Sequence, residues 1–178
     1  METMTTSIIL PFLVFFPFLG AVISYIIGRS NKGARDIWCW ILSAVIFIAS
    51  LMLIGKETVY SLRGFCGLGL SFAADGFGVI LAVLTGAIWL ITTIFSKEYM
   101  AAERNRNRYY FFVFLTLGAT MGIFLSADLF TTFIFFEIMS FTSFVLVMHD
   151  EEDFTVRSAK TYLAVAVIGG LVTLMGLF

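Results

Sequence analysis

The run Leu129-Phe130-Thr131-Thr132-Phe133-Ile134-Phe135-Phe136-Glu137-Ile138-Met139-Ser140-Phe141-Thr142-Ser143-Phe144-Val145-Leu146-Val147-Met148 holds a single ionisable side chain, Glu137. Its other residues are apolar or carry only a hydroxyl. A helix needs about 20 mostly apolar residues to cross the hydrocarbon core of a bilayer, and this run has that length. It shows no alternation of apolar and polar positions, so it does not read as a strand of a membrane barrel. Five similar runs occur elsewhere: Ser7–Gly28, Ile37–Gly55, Phe77–Phe95, Tyr109–Ser126 and Ser158–Phe178. The sequence therefore predicts an all-α polytopic membrane protein with six transmembrane helices in one membrane domain over residues 1–178, and no room for a soluble domain.

Composition agrees. Of 178 residues, 60% are hydrophobic and 13% charged, against about 45–50% and about 25% in an ordinary soluble domain. Mean hydropathy is +1.00, which leaves too little polar surface for a water-soluble globule. A net charge of −1 gives no basic field to hold a nucleic-acid backbone. Cys39 and Cys66 make no disulfide framework, and with His149 the single histidine there is no metal-ligand spacing. The first run is too long for a signal peptide and has neither a preceding positive charge nor a following small-residue cleavage site. Pro11 and Pro17, inside it, read as local bends.

Charges collect in the connections. Arg29, Lys32, Arg35, Lys97, Arg104, Arg106, Arg108, Arg157 and Lys160 belong to one side of a six-span topology, and Lys56 and Arg63 to the other. This asymmetry predicts cytoplasmic odd connections and an N-terminus outside. The acidic run Asp150-Glu151-Glu152-Asp153 shares the cytoplasmic side, but acids count little in that rule. The connection 56–76 is rich in glycine (Gly64, Gly67, Gly69) and alternates Phe65, Leu68, Leu70 and Phe72, which suits a small hairpin on the outer face.

Against this background Glu137 stands alone near the middle of a span, about 12–16 Å from either end at 1.5 Å per residue. An ionised acid at that depth costs a few kcal/mol, and such residues mark ion paths and proton relays. It must carry its proton or meet a cation. Phe130, Phe133, Ser140, Phe141 and Phe144 share its helical face, and of these only Ser140 can hydrogen-bond. Lys160 is the other basic group inside a span, but it lies near the cytoplasmic end of the next one, beyond direct reach. A neutral Glu137 acting as interhelical glue is the structural alternative.

The remaining polar candidates each carry two readings. Asp75 and Asp128 precede spans, where capping of a helix N-terminus competes with a functional role. Lys160 either snorkels to the interface or joins a relay. Tyr162 fits a relay or an aromatic belt, and His149 is a surface imidazole or a proton-uptake group at the cytoplasmic mouth. Thr131, Thr132, Thr142 and Ser143 are expected to bond back to their own helix.

The stretch Ser126-Ala127-Asp128-Leu129-Phe130, continued by Phe135-Phe136-Glu137-Ile138-Met139-Ser140, resembles the fifth helix of the antiporter-like subunits. These occur in respiratory complex I, Mrp-type cation/proton antiporters and membrane-bound [NiFe] hydrogenases. Arg157-Ser158-Ala159-Lys160-Thr161-Tyr162-Leu163 is similar to the family's Ala-x-x-Lys-aromatic opening of helix six, with Thr161 inserted between lysine and aromatic. Asp75 and the pair Tyr109-Tyr110 also match, so the likeness covers roughly Phe72 to Phe178.

The resemblance implies the first part of a fold of about fourteen helices in inverted repeats. It implies that Glu137 tunes a lysine on a broken helix seven, and that Lys160 belongs to the following relay. Helix seven and the second repeat are expected from another chain or segment. The implied function is proton or Na⁺/H⁺ translocation in a multisubunit redox-driven pump or Mrp-type antiporter of the inner (cytoplasmic) membrane. The partners are then other membrane subunits, the lipid bilayer, H⁺ and, in the antiporter case, Na⁺, with no nucleic acid. No cofactor is expected in this chain, since neither GxGxxG nor Walker patterns occur; metal clusters or flavin belong to partner subunits. Two alternatives stand beside this function: a non-conducting assembly subunit of the same complex, and a small homo-oligomeric secondary transporter.

Overall fold

The computed structural model describes residues 5–6, 8–62, 69–101, 105–149 and 152–177. Ser7, Arg63, Gly64, Phe65, Cys66, Gly67, Leu68, Arg104, Asp150, Glu151 and Phe178, which entered the sequence reading, lie outside the described residues.

Among the described residues six helices follow one another: α1 (Ile9–Ser30), α2 (Lys32–Leu51), α3 (Gly76–Tyr99), α4 (Arg106–Phe124), α5 (Leu129–Val147) and α6 (Asp153–Leu177). Between α2 and α3 the strands β2 (Thr58–Leu62) and β3 (Leu70–Ala74) pair antiparallel, with Tyr60 opposite Phe72. A two-residue strand, β1 (Thr5–Thr6), joins β2 in parallel and gives the order β1-β2-β3. Two residues are too few to show a period, so β1 had no signal in the sequence. The hairpin is tied down by Phe72 and Ser71. Ala127 N–H donates to the Ser71 carbonyl, Ala73 N–H donates to the Leu125 carbonyl (both 2.8 Å), and Phe72 forms a bridge with Ser126. The Phe72 ring lies 6.2 Å from Phe15 of α1 and 5.7 Å from Phe135 of α5.

The connection between α1 and α2 is shorter than hydropathy predicts. The side chain of Asn31 accepts from the N–H groups of Gly33 (2.9 Å) and Ala34 (3.2 Å), which starts α2 at Lys32 rather than Ile37. Arg35 and Asp36 are therefore inside a helix. Charges made this turn look like loop, whereas the cap decides where the helix begins. α6 also starts earlier than hydropathy predicts, at Asp153 rather than Ser158.

α4 packs against α1, α5 and α3; α2 lies on α1 and α3, and α6 on α5. Among the described residues five helices are long and apolar enough to cross a membrane, and α4 is not among them. It opens with Arg106-Asn107-Arg108 and carries Thr116 and Thr120, yet most of its residues from Tyr110 to Gly122 are buried. Indole N–H groups clasp neighbouring helices: Trp38 donates to the Gly20 carbonyl (3.1 Å), Trp40 to Thr93 (3.2 Å) and Trp89 to Val113 (3.1 Å). The outward side of α3 is an unbroken apolar stripe of Phe77, Ile80, Leu84, Ile88 and Ile91, the surface a lipid-facing helix needs.

Candidate functional site around Glu137

Glu137 lies about 12 Å from the start of α5 and about 15 Å from its end. The residue is half-buried, but its Oε1 is fully buried and has no hydrogen-bond partner among the described residues. The opposing surface is Gly170 of α6: a β-carbon there would overlap the Glu137 carboxyl group. A side chain at this position would have to push the Glu137 carboxyl group aside, because α6 approaches α5 at the carboxylate itself. Ser140, the neighbour able to hydrogen-bond, donates instead to the Phe136 carbonyl (3.0 Å) in its own helix. A buried acceptor without a partner is costly, by about 1–3 kcal/mol, and rare enough to call for a functional reason.

The other predicted residues are strung along α5 and α6 rather than gathered around Glu137. Asp128 caps α5 and binds Thr131 twice, through the backbone N–H (2.7 Å) and the hydroxyl (2.8 Å). Thr131 in turn accepts from Ser71 N–H (3.0 Å), so this end of α5 anchors the hairpin. Asp75 similarly caps α3 by accepting from Gly78 N–H (2.8 Å). Tyr162 of α6 donates to Ser143 of α5 (3.3 Å), and Ser143 donates to the Met139 carbonyl. Lys160 is exposed and lies about 15 Å along α6 from Gly170. Among the described residues neither Lys160 nor Glu137 enters an ion pair. His149 follows the end of α5: its carbonyl accepts from Arg108 (2.9 Å) and its ring sits 5.8 Å from that of Tyr109. The imidazole Nε2 is buried and has no partner among the described residues.

A second polar centre, unforeseen in the sequence, sits at the end of the bundle shared by His149. Arg35 is 1% exposed and Asp36 6%. The Arg35 guanidinium binds Asp36 Oδ1 through Nη2 (2.7 Å) and Nε (3.1 Å), donates to Asn107 Oδ1, and stacks 4.7 Å above the Tyr110 ring. Arg106 reaches the other Asp36 oxygen at 3.3 Å and the Lys97 carbonyl at 3.1 Å. Gly28 of α1 makes room for this contact, since a β-carbon there would strike Asn107 and Arg35. The one available signal was Asp36 itself, a lone acid among the basic residues of that turn.

Six helices among the described residues, with a hairpin stapled to the start of α5 and an isolated carboxylate midway along it, resemble the architecture of antiporter-like membrane subunits. The chain is a multi-pass membrane protein whose fold matches the N-terminal portion of such subunits. No protein-family model matches it. In sequence it is 28% identical over 182 aligned positions to a Staphylococcus aureus (strain JH9) protein provisionally named antiporter subunit mnhD2. That alignment covers 98% of this chain and 36% of the relative, so the chain spans little more than a third of the length of the curated proteins it matches. In structure it superposes on a chain of the membrane-bound sulfane sulfur reductase, an archaeal respiratory membrane complex, with a TM-score of 0.85 at 16% identity, covering 96% of this chain and 36% of that one. It also superposes on a chain of the Mrp complex of Dietzia sp. DQ12-45-1b, with a TM-score of 0.83 at 20% identity, covering 93% of this chain and 18% of that one. At these identities the two structures speak for the fold alone. The likeness to the antiporter-like subunits thus holds in sequence and in fold.

Proposed function

We propose that this chain forms part of an ion-translocating membrane subunit in a multisubunit complex, with Glu137 as its mid-membrane proton-carrying or cation-pairing group. The observation that carries this reading is the buried Oε1 of Glu137, which lacks a partner among the described residues and faces Gly170. A carboxylate used as structural glue would be hydrogen-bonded to another helix. An unsatisfied one can exchange a proton or receive a cation brought by another segment, a lysine in the mechanism that the family likeness implies. The similarity to a named antiporter subunit and the shared fold with an Mrp complex support the same reading. Lys160, Tyr162 and His149 then mark stations between Glu137 and the basic end of the bundle, with Tyr162 and Ser143 supplying the hydroxyl contact between α6 and α5.

The basic residues of the described chain other than Lys56 cluster at the α1–α2, α3–α4 and α5–α6 end, which supports a cytoplasmic position for that end and an N-terminus outside. The membrane is then the inner one, and the partners are further membrane subunits. The ion is H⁺, alone or exchanged for Na⁺.

Glu137→Gln tests the proposal, because it keeps the shape and removes the titrating group. In vesicles containing the assembled complex, coupled transport is expected to fall at least about tenfold, with the amount of chain in the membrane unchanged. Undiminished coupled transport would instead assign the chain to assembly of the complex.

A further inference from the structure

The basic end of the bundle contains an open cavity of about 850 Å³ between the α1–α2 turn and the start of α4. Its polar wall is formed by Lys32, Arg35, Arg106 and Arg108, and its apolar wall by Tyr25, Phe111 and Phe112. Among the described residues, Asp36 is the carboxylate paired with Arg35 and Arg106, and both of its oxygens are taken up by them. Arg106 still has a buried Nε donor with no partner among the described residues, and Lys32 is exposed. Surplus positive charge thus meets an aromatic face that continues outward along exposed Tyr25 and Ile26. Basic pockets between membrane helices suit phosphate-bearing head groups.

We propose that this cavity binds the phosphodiester head group of an anionic phospholipid, with Lys32 and Arg106 on the phosphate and the acyl chains lying over Phe111, Phe112 and Tyr25. A free phosphate shares the head-group chemistry, but it would leave the aromatic wall and most of the volume unused. The site is separate from Glu137 and does not depend on its role.

The chain, purified in detergent and stripped of endogenous lipid, is titrated with dioleoyl phosphatidylglycerol or dioleoyl phosphatidylcholine and followed by native mass spectrometry. One phosphatidylglycerol is expected to remain bound about tenfold more tightly than phosphatidylcholine, and millimolar inorganic phosphate should not displace it. Lys32→Glu should weaken the anionic lipid about five- to tenfold without moving the thermal unfolding midpoint, and Lys32→Gln should weaken it less. Equal retention of the two lipids overturns the proposal, as does undiminished binding in both folded variants. Displacement by inorganic phosphate reassigns the cavity to a free anion. Expulsion of the lipid by a co-purifying subunit reassigns it to an acidic protein segment.

Discussion

α4 and α6 both pack on α5, yet their compositions run opposite to the pattern of a water-soluble protein. α4 is buried along most of its length but fails as an apolar span, because it carries Arg106, Arg108, Thr116 and Thr120. α6 is apolar enough to span although Ala159 and Gly170 are its only buried residues among those described. Its outward residues are Val165, Ile168, Leu171, Val172 and Met175. In lipid the outside of a bundle must be apolar, while the inside is free to hold polar groups that pair with one another. Hydropathy therefore reports what faces lipid, and a low value can mark a centre. The same contrast applies to small residues. Gly118 of α4 touches Phe18 and the Val14 carbonyl, while Gly169 and Gly176 of α6 face open space and Gly170 alone is pressed against a neighbour, the Glu137 carboxyl group.

The contrast can be broken most forcefully at the polar foot of α4. Asp36→Ala leaves the buried Arg35 and Arg106 guanidinium groups without their carboxylate, and is expected to destabilise the protein by about 3–5 kcal/mol. Thermal unfolding in detergent measures this; a loss below about 1 kcal/mol would mean that the polar centre is not structural.

A matched pair of glycine substitutions sharpens the difference between the helices. Gly118→Ala places its β-carbon 2.6 Å from the Phe18 ring and 2.9 Å from the Val14 carbonyl oxygen, so a loss of about 1–3 kcal/mol is expected. Gly176→Ala meets nothing within 4 Å and should be neutral or stabilise by up to about 1 kcal/mol through helix propensity. Equal shifts in unfolding midpoint would contradict the central placement of α4.

The smallest effect is expected from Thr116→Val. It removes the 3.0 Å hydroxyl contact from α4 to Thr142 of α5, while Thr142 keeps its own bond to the Met139 carbonyl. Interhelical hydrogen bonds of this kind contribute about 0.6 kcal/mol on average. A double-mutant cycle with Thr142→Val reads the coupling directly.

Some of the site was legible without coordinates. Glu137 stood out because a single charge among apolar neighbours needs no tertiary information to be noticed. The caps at Asp75 and Asp128 were readable because a cap is a local event, three residues long. The Arg35–Asp36–Arg106–Asn107 centre was hidden because it joins α2 to the start of α4, and charges near a chain reversal look like ordinary loop polarity. β1 was invisible for want of length, and Ser143 was known only as a back-bonding hydroxyl until α6 brought Tyr162 to it.

The sequence by itself determined that the chain lies in a membrane, where the apolar body of each helix runs though not where α2 and α6 begin, and that one carboxylate stands midway along α5. Those properties follow from composition and from patterns within a single helix. Only the tertiary structure decided that α4 is central and α6 peripheral, that Gly170 closes over Glu137, and that Arg35 and Asp36 are buried. Each of these depends on the rotation and register of one helix against another. Close packing between side chains far apart in sequence fixes that register, and no local periodicity encodes it.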